Sequence, residues 1–338
     1  MKILFQRIYK FNLDTNRAEE QVVPADAKDF NDYIFELIED VARDKGNKKF
    51  NFPKEVTATK TILAGLNDGK KDTVAVSFAE RLIKIEIDVQ NKIDHLDQEV
   101  QKGIMLQALV DMGNYTQYYI IKAEHFDFIN EKDNKRTTGL PIKRKIFKSF
   151  YCTVPADGKF KNAYVNDNRA SITTYWWKTF LELEPEFTDD YNTERAFTMI
   201  ESKVLNKFKE SHKSDYAYLR NATVAYFRAN DEFVMEEYVK KTFEKYVPED
   251  DGLNMKAISS KLKALPENNS FDNRFNIKKE KVRKRFIKRV ELSPQLDLIL
   301  KENIDWGKTI VPVRDNKGAK CLQIRTDEGF DYFEKAAK

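Results

Sequence analysis

The stretch "GIMLQALVDMGNYTQYYIIKAEHF", residues 103–126, leaves the fold the least freedom. Two apolar runs of strand length flank Gly113-Asn114, a pair suited to the backbone of a tight hairpin turn. A third strand is expected at 143–154, "KRKIFKSFYCTV". Upstream, "KILFQRIYKF" alternates as a strand, and "NLDTN" turns it into "EEQVV". In "AKDFNDYIFELIEDVARD", residues Phe30, Tyr33, Ile34, Leu37, Ile38 and Val41 recur at three and four, which predicts an amphipathic helix capped by Asp26. "FAERLIKIEIDVQNKIDHLDQEV" reads as a helix, although its "IKIEIDV" also fits a strand. Residues 1–165 are therefore expected to form an α+β domain, a mixed or antiparallel sheet with helices.

Residues 166–338 change character and are expected to form a mostly helical domain. "SITTYWWKTFLEL", "DDYNTERAFTMIESKVLNKFKES", "SDYAYLRNATVAYFRAN" and "DEFVMEEYVKKTFEKYV" all have helical spacing, with Asp or Ser at the N-caps. "PEDDG" at 248–252 reads as a linker and "MKAISSKLKAL" as a short helix. Near the end, "QLDLIL", "KTIVPVR" and "AKCLQIR" read as strands, the last two joined as a hairpin by "DNKG", and "DEGFDYFEKAA" as a helix. The fold class expected is α+β, with a helical middle and a small C-terminal sheet and helix.

The charge distribution is uneven. The chain has 338 residues, 34% of them charged, with a net charge of +4. From Lys256 onward there are 20 Lys and Arg against 12 Asp and Glu, leaving 39 against 43 in the rest. A mildly acidic body with a basic end suits contact with a polyanion. The densest run is "KKEKVRKRFIKR", Lys278–Arg289, where eight of twelve side chains are basic. Val282, Phe286 and Val290 repeat every four residues with Ile287 beside them, which predicts a helix with one apolar stripe. Lys278, Lys279, Lys281, Arg283, Lys284, Arg285, Lys288 and Arg289 are then the candidate DNA-binding cations. A second basic segment, 132–161, holds nine Lys and Arg against two Asp and adds Lys143, Arg144, Lys145 and Lys148. Such cations displace condensed counterions from phosphates but mark no base edge.

Catalytic signatures are scarce. His95, His125 and His212 sit apart, and no CxxC, HxH or HExxH spacing occurs. "GLNDGKK" is one residue short of a phosphate loop and carries Lys71 where Ser or Thr would meet Mg²⁺, so it reads as a turn. GxSxG and GxGxxG are absent. "ELEPEFTDD" reads as a solvated acidic loop. The adjacent Trp176 and Trp177 point about 100° apart on a helix, too far to form one stacking platform, and are assigned to the core. No catalytic residue, metal or cofactor is expected. No apolar run is long enough for a membrane span, and the start shows no signal-peptide pattern. Cys152 and Cys321, far apart, suit a reducing compartment. The expected location is cytoplasmic.

The order of these elements resembles the bacterial nucleoid-associated protein family of the NdpA/YejK type. The likeness runs from "ILFQRIYKFNL…FNDYIFELIEDV" through "FAERL", the Gly-led strand pair and "YWWKTFL", to "QLDLIL…GKTIVPVRDNKGAKCLQIR". The resemblance implies a cytoplasmic protein that joins the nucleoid through double-stranded DNA. It supplies no contact motif, so the candidate residues come from charge alone. The expected function is non-enzymatic duplex DNA binding, mainly to the phosphate backbone and with weak sequence specificity. Protein partners in DNA metabolism and a homo-oligomer are further possible partners. The alternatives are an accessory subunit of a DNA-processing or phage-defence complex, and a metal-dependent nuclease.

Overall fold

A computed structural model describes residues 1–12, 15–24, 27–93, 95, 103–124, 126–130, 134–139, 146–167, 172–283, 288–300 and 308–336. The first part contains β1 (Lys2–Asn12), β2 (Arg17–Glu20), α1 (Lys28–Arg43), β3 (Lys48–Asn51), α2 (Ala58–Ala64) and α3 (Lys71–Ile93). It continues with β4 (Gly103–Asp111), β5 (Thr116–Glu124), β6 (Phe126–Asn130), β7 (Lys135–Gly139), β8 (Ile146–Val154) and β9 (Asn162–Asp167). After a π-helical turn at Tyr175–Phe180 come β10 (Glu184–Pro185), α4 (Asp189–Met199), α5 (Lys213–Ala229), β11 (Glu232–Val234) and α6 (Met235–Thr242). Then follow α7 (Met255–Lys263), α8 (Leu265–Asn269), β12 (Arg274–Asn276) and α9 (Lys279–Val282). The chain closes with β13 (Lys288–Ser293), β14 (Leu296–Leu300), β15 (Ile310–Arg314), β16 (Lys320–Ile324) and α10 (Asp327–Ala336). The class is α+β.

Eight strands make one antiparallel sheet in the order β10-β3-β9-β8-β5-β4-β1-β2. The hairpin read from residues 103–126 is its centre: β4 and β5 pair from Gly103 with Glu124 to Asp111 with Thr116. Gly113 closes the turn at φ +96°, a conformation that a side chain would strain. Both faces of β4 are covered, which is why it reads as a continuous apolar run. Met105 and Leu109 join a core under α3, while Ile104, Leu106, Ala108 and Val110 join a core under α1. The α1 stripe is as expected, with Ile34, Leu37, Ile38 and Val41 buried. Asp26, the expected cap, lies outside the described residues, and Ala27 stands at the N-cap.

The ambiguous "IKIEIDV" is helical. It belongs to the 23-residue α3, whose Val74, Ala75, Phe78, Ala79, Leu82, Ile83 and Glu86 face the sheet at helical spacing. Trp176 and Phe180 complete that core, and the Trp176 indole N–H donates to the Ser149 carbonyl at 3.3 Å. The tryptophans separate as their angle requires: Trp176 is wholly buried, and Trp177 is half-buried against Phe50.

Apart from the two faces of the sheet, taken together as the first core, a second core gathers residues from Ala196 to Val282 and is rich in aromatics. Along the chain the core on the sheet ends at Leu183 and the second begins at Ala196. One expected helix is shortened here. Glu232–Val234 is the strand β11, because Phe233 pairs with Phe275 of β12 and their rings stack at 4.8 Å. No helix among the described residues is long and apolar enough to cross a membrane.

Candidate nucleic-acid interface

The basic run begins from a firmly held base. Asp189, at the start of α4, accepts hydrogen bonds from the Asn276 backbone N–H at 3.1 Å and its side-chain amide at 2.8 Å. Thr193, one turn on, accepts from the Lys278 N–H at 3.0 Å. Val282 then enters the second core with no exposure. One helical turn, α9, is fixed between these anchors. Its cations flank the buried valine, as the apolar spacing predicts. Arg283 is exposed. Lys279 meets Asp231 at 2.8 Å, and Lys281 meets Asp190 at 2.9 Å. The hydrogen bond from Lys279 holds the Asp231 carboxyl below its ordinary pKa, and the bond to Asp190 raises that of Lys281. Lys278 is half-buried.

The helix does not continue to Val290 as its four-residue repeat predicts. Lys284, Arg285, Phe286 and Ile287 lie outside the described residues, and Lys288 already belongs to a strand. Strand β13 turns at Pro294-Gln295 and pairs with β14, Lys288 opposite Leu300 and Ser293 opposite Leu296. Proline has no N–H for a helix interior, and the alternation of Val290, Leu292, Leu296, Leu298 and Leu300 satisfies a hairpin better. Of the six candidate cations of this run among the described residues, Lys278, Lys279, Lys281 and Arg283 stand at a helical turn, and Lys288 and Arg289 belong to a strand.

The second basic segment contributes less. Lys143, Arg144 and Lys145 lie outside the described residues. Lys148 is not a surface cation: its side chain is 3% exposed, paired with the Asp167 carboxylate and donating to Thr173 Oγ1 at 2.6 Å. Its place in β8 explains this. Phe150 and Cys152 face the core under α3, and the two-residue period puts Lys148 on the same side.

Lys148 belongs to a buried row of charge that charge counting does not reveal. Across the sheet it stands beside Lys122 of β5 and Asp167 of β9. Lys122 pairs with Glu86 of α3, both side chains at most 3% exposed. Tyr175 lies between the two pairs, its hydroxyl 3.5 Å from Glu86 Oε1 and its ring 5.3 Å from Lys148 Nζ. Two cations stand against two carboxylates, so the row adds no net positive charge to attract a polyanion. Its role is to fix α3, β5, β8 and β9 against one another. The signal for it was parity: Lys122 shares the inward side with Tyr118 and Ile120, and Glu86 sits in the apolar stripe of α3.

A cavity of about 210 Å³ opens between the two cores, lined by Lys48, Phe50, Trp177, Phe187, Asp189 and Asp272 among others. Asp272 is buried at its wall and accepts from the Asn192 side-chain amide at 2.8 Å. Burial raises its pKa to about 6, with Lys48 opposing the shift. Among the described residues no group of three or more His, Cys, Asp and Glu side chains is placed to hold a metal ion. No protein-family model matches the chain, and no curated protein matches it.

Proposed function

We propose that the chain is a non-enzymatic double-stranded DNA-binding protein of the nucleoid, gripping phosphates with little base preference. The observation that carries this reading is α9. Val282 is sunk in the second core, so Lys279, Lys281 and Arg283 are held at the surface. The carboxylates beside two of them are themselves exposed. Solvated ion pairs of this kind add little net stability, so a phosphate can take the place of either carboxylate. The net charge of +8 from Lys256 onward and the resemblance to nucleoid-associated proteins support the same reading.

For B-DNA each neutralised phosphate contributes about −0.9 to the slope of log affinity against log salt. Replacing Lys279, Lys281 and Arg283 together by Ala is expected to flatten that slope by roughly 2 to 3. The loss should be equal on unrelated duplexes, since phosphates carry no base identity. Binding titrations at several salt concentrations on two duplexes measure it. An unchanged slope in a folded triple variant overturns the assignment. Conversely, Asp190→Ala with Asp231→Ala frees Lys281 and Lys279 and is expected to tighten binding several-fold. Weaker or unchanged binding by that variant would show that these lysines do not meet DNA.

A further inference from the structure

The last part of the chain does not bury its own apolar surface. From Leu292 to Phe333 the only apolar side chain described as buried is that of Ile310. Phe330, Tyr332 and Phe333 of α10 are 63%, 70% and 68% exposed. All five residues of β16 are exposed, Leu322 and Ile324 among them. Two-stranded hairpins are marginal in water unless an apolar face is covered, and large exposed apolar patches mark contact sites. Hairpins β13–β14 and β15–β16 also enclose a groove of about 620 Å³. Leu292, Leu296, Pro312 and Leu322 line it, and so do Arg314 and Lys320.

We infer that this face is the interface of a homodimer, in which α10 of each copy lies in the groove of the other. Both halves of the contact are present on one chain and are complementary. Phe330 and Phe333, one turn apart, make one face of α10, and Asp327 and Asp331 run along its border. The groove is lined by apolar side chains together with two cations, Arg314 and Lys320. An amphipathic helix that lays its apolar face in a hydrophobic groove is a recurrent mode of recognition. The chain's own α10 does not fill the groove. It starts only two residues after β16, with Arg325 N–H still bonded to the Thr309 carbonyl at 2.9 Å, and its aromatic side chains stay exposed. A two-fold axis makes both contacts at once, so each copy covers the surface the other leaves open. This inference does not depend on DNA binding.

Light scattering on the full chain without DNA tests it. The expected mass is twice 39.7 kDa across the micromolar range, falling to the single-chain mass for Phe330→Ser with Phe333→Ser. Those side chains are exposed, so the fold should survive, as circular dichroism can check. Arg314→Glu with Lys320→Glu should also give monomer, and adding Asp327→Lys with Asp331→Lys to the same chain should restore the dimer. A monomeric wild type overturns the inference, as does a dimer that persists in the Phe330→Ser, Phe333→Ser variant. A dimer unaffected by the charge reversals would refute the helix-in-groove arrangement.

Discussion

Lys122→Met is expected to lose about 3 to 5 kcal/mol of folding stability, the usual cost of leaving one buried charge without its partner. The side chain is 3% exposed and the Glu86 it abandons 2% exposed, so water cannot replace the lost ammonium. Lys122→Met combined with Glu86→Leu removes both charges at similar volume and is expected to recover most of the loss. Urea unfolding of wild type, both single variants and the double variant gives the coupling between the two sites. Additive losses would mean that the pair is not the element that ties α3 to β5.

Asp272→Asn is expected to act in the opposite direction, and only above acid pH. Burial raises the Asp272 carboxyl from 3.8 to about 6, so the folded state holds its proton more tightly than the unfolded state does. Stability from this group is full near pH 4, falls as pH rises, and is lost above about 6. A shift of this size corresponds to about 3 kcal/mol at neutral pH. The variant should therefore be more stable than wild type at pH 7.5, with the difference shrinking to nothing near pH 4. Lys48 and Asp189, which face the same cavity and lie 3.8 Å apart, are unchanged by the substitution. Thermal melts across that pH range follow the difference. A variant less stable than wild type at neutral pH would contradict the burial cost assigned to Asp272.

The periods of the chain made much of the fold legible. α1, α5 and the β4–β5 hairpin lie where apolar spacing put them, because each buries its own stripe or face, and α3, read as starting at Phe78, begins at Lys71. The different burial of Trp176 and Trp177 fits the angle between neighbouring side chains on a helix. Phe233 was harder. Its run fits a helix until Phe275, more than forty residues away, offers a ring to stack on. The basic segment was half legible. Val282 took the core position its spacing required, but the four-residue repeat through Val290 did not anticipate a hairpin partner at Leu296–Leu300.

What the sequence by itself determined is local: the strand and helix periods, the turn at Gly113, and the accumulation of positive charge beyond Lys256. Each depends on residues within a few positions of one another, where backbone geometry acts directly. The tertiary structure alone decided which cations meet solvent. Lys148 and Lys281 both sit in basic segments, yet one is sealed against Asp167 beneath the sheet and the other lies at the surface beside Asp190. Charge is a property of the residue, whereas burial depends on which distant segments close over it. The sequence count cannot distinguish the two lysines, but the fold places them on opposite sides of the boundary between core and water.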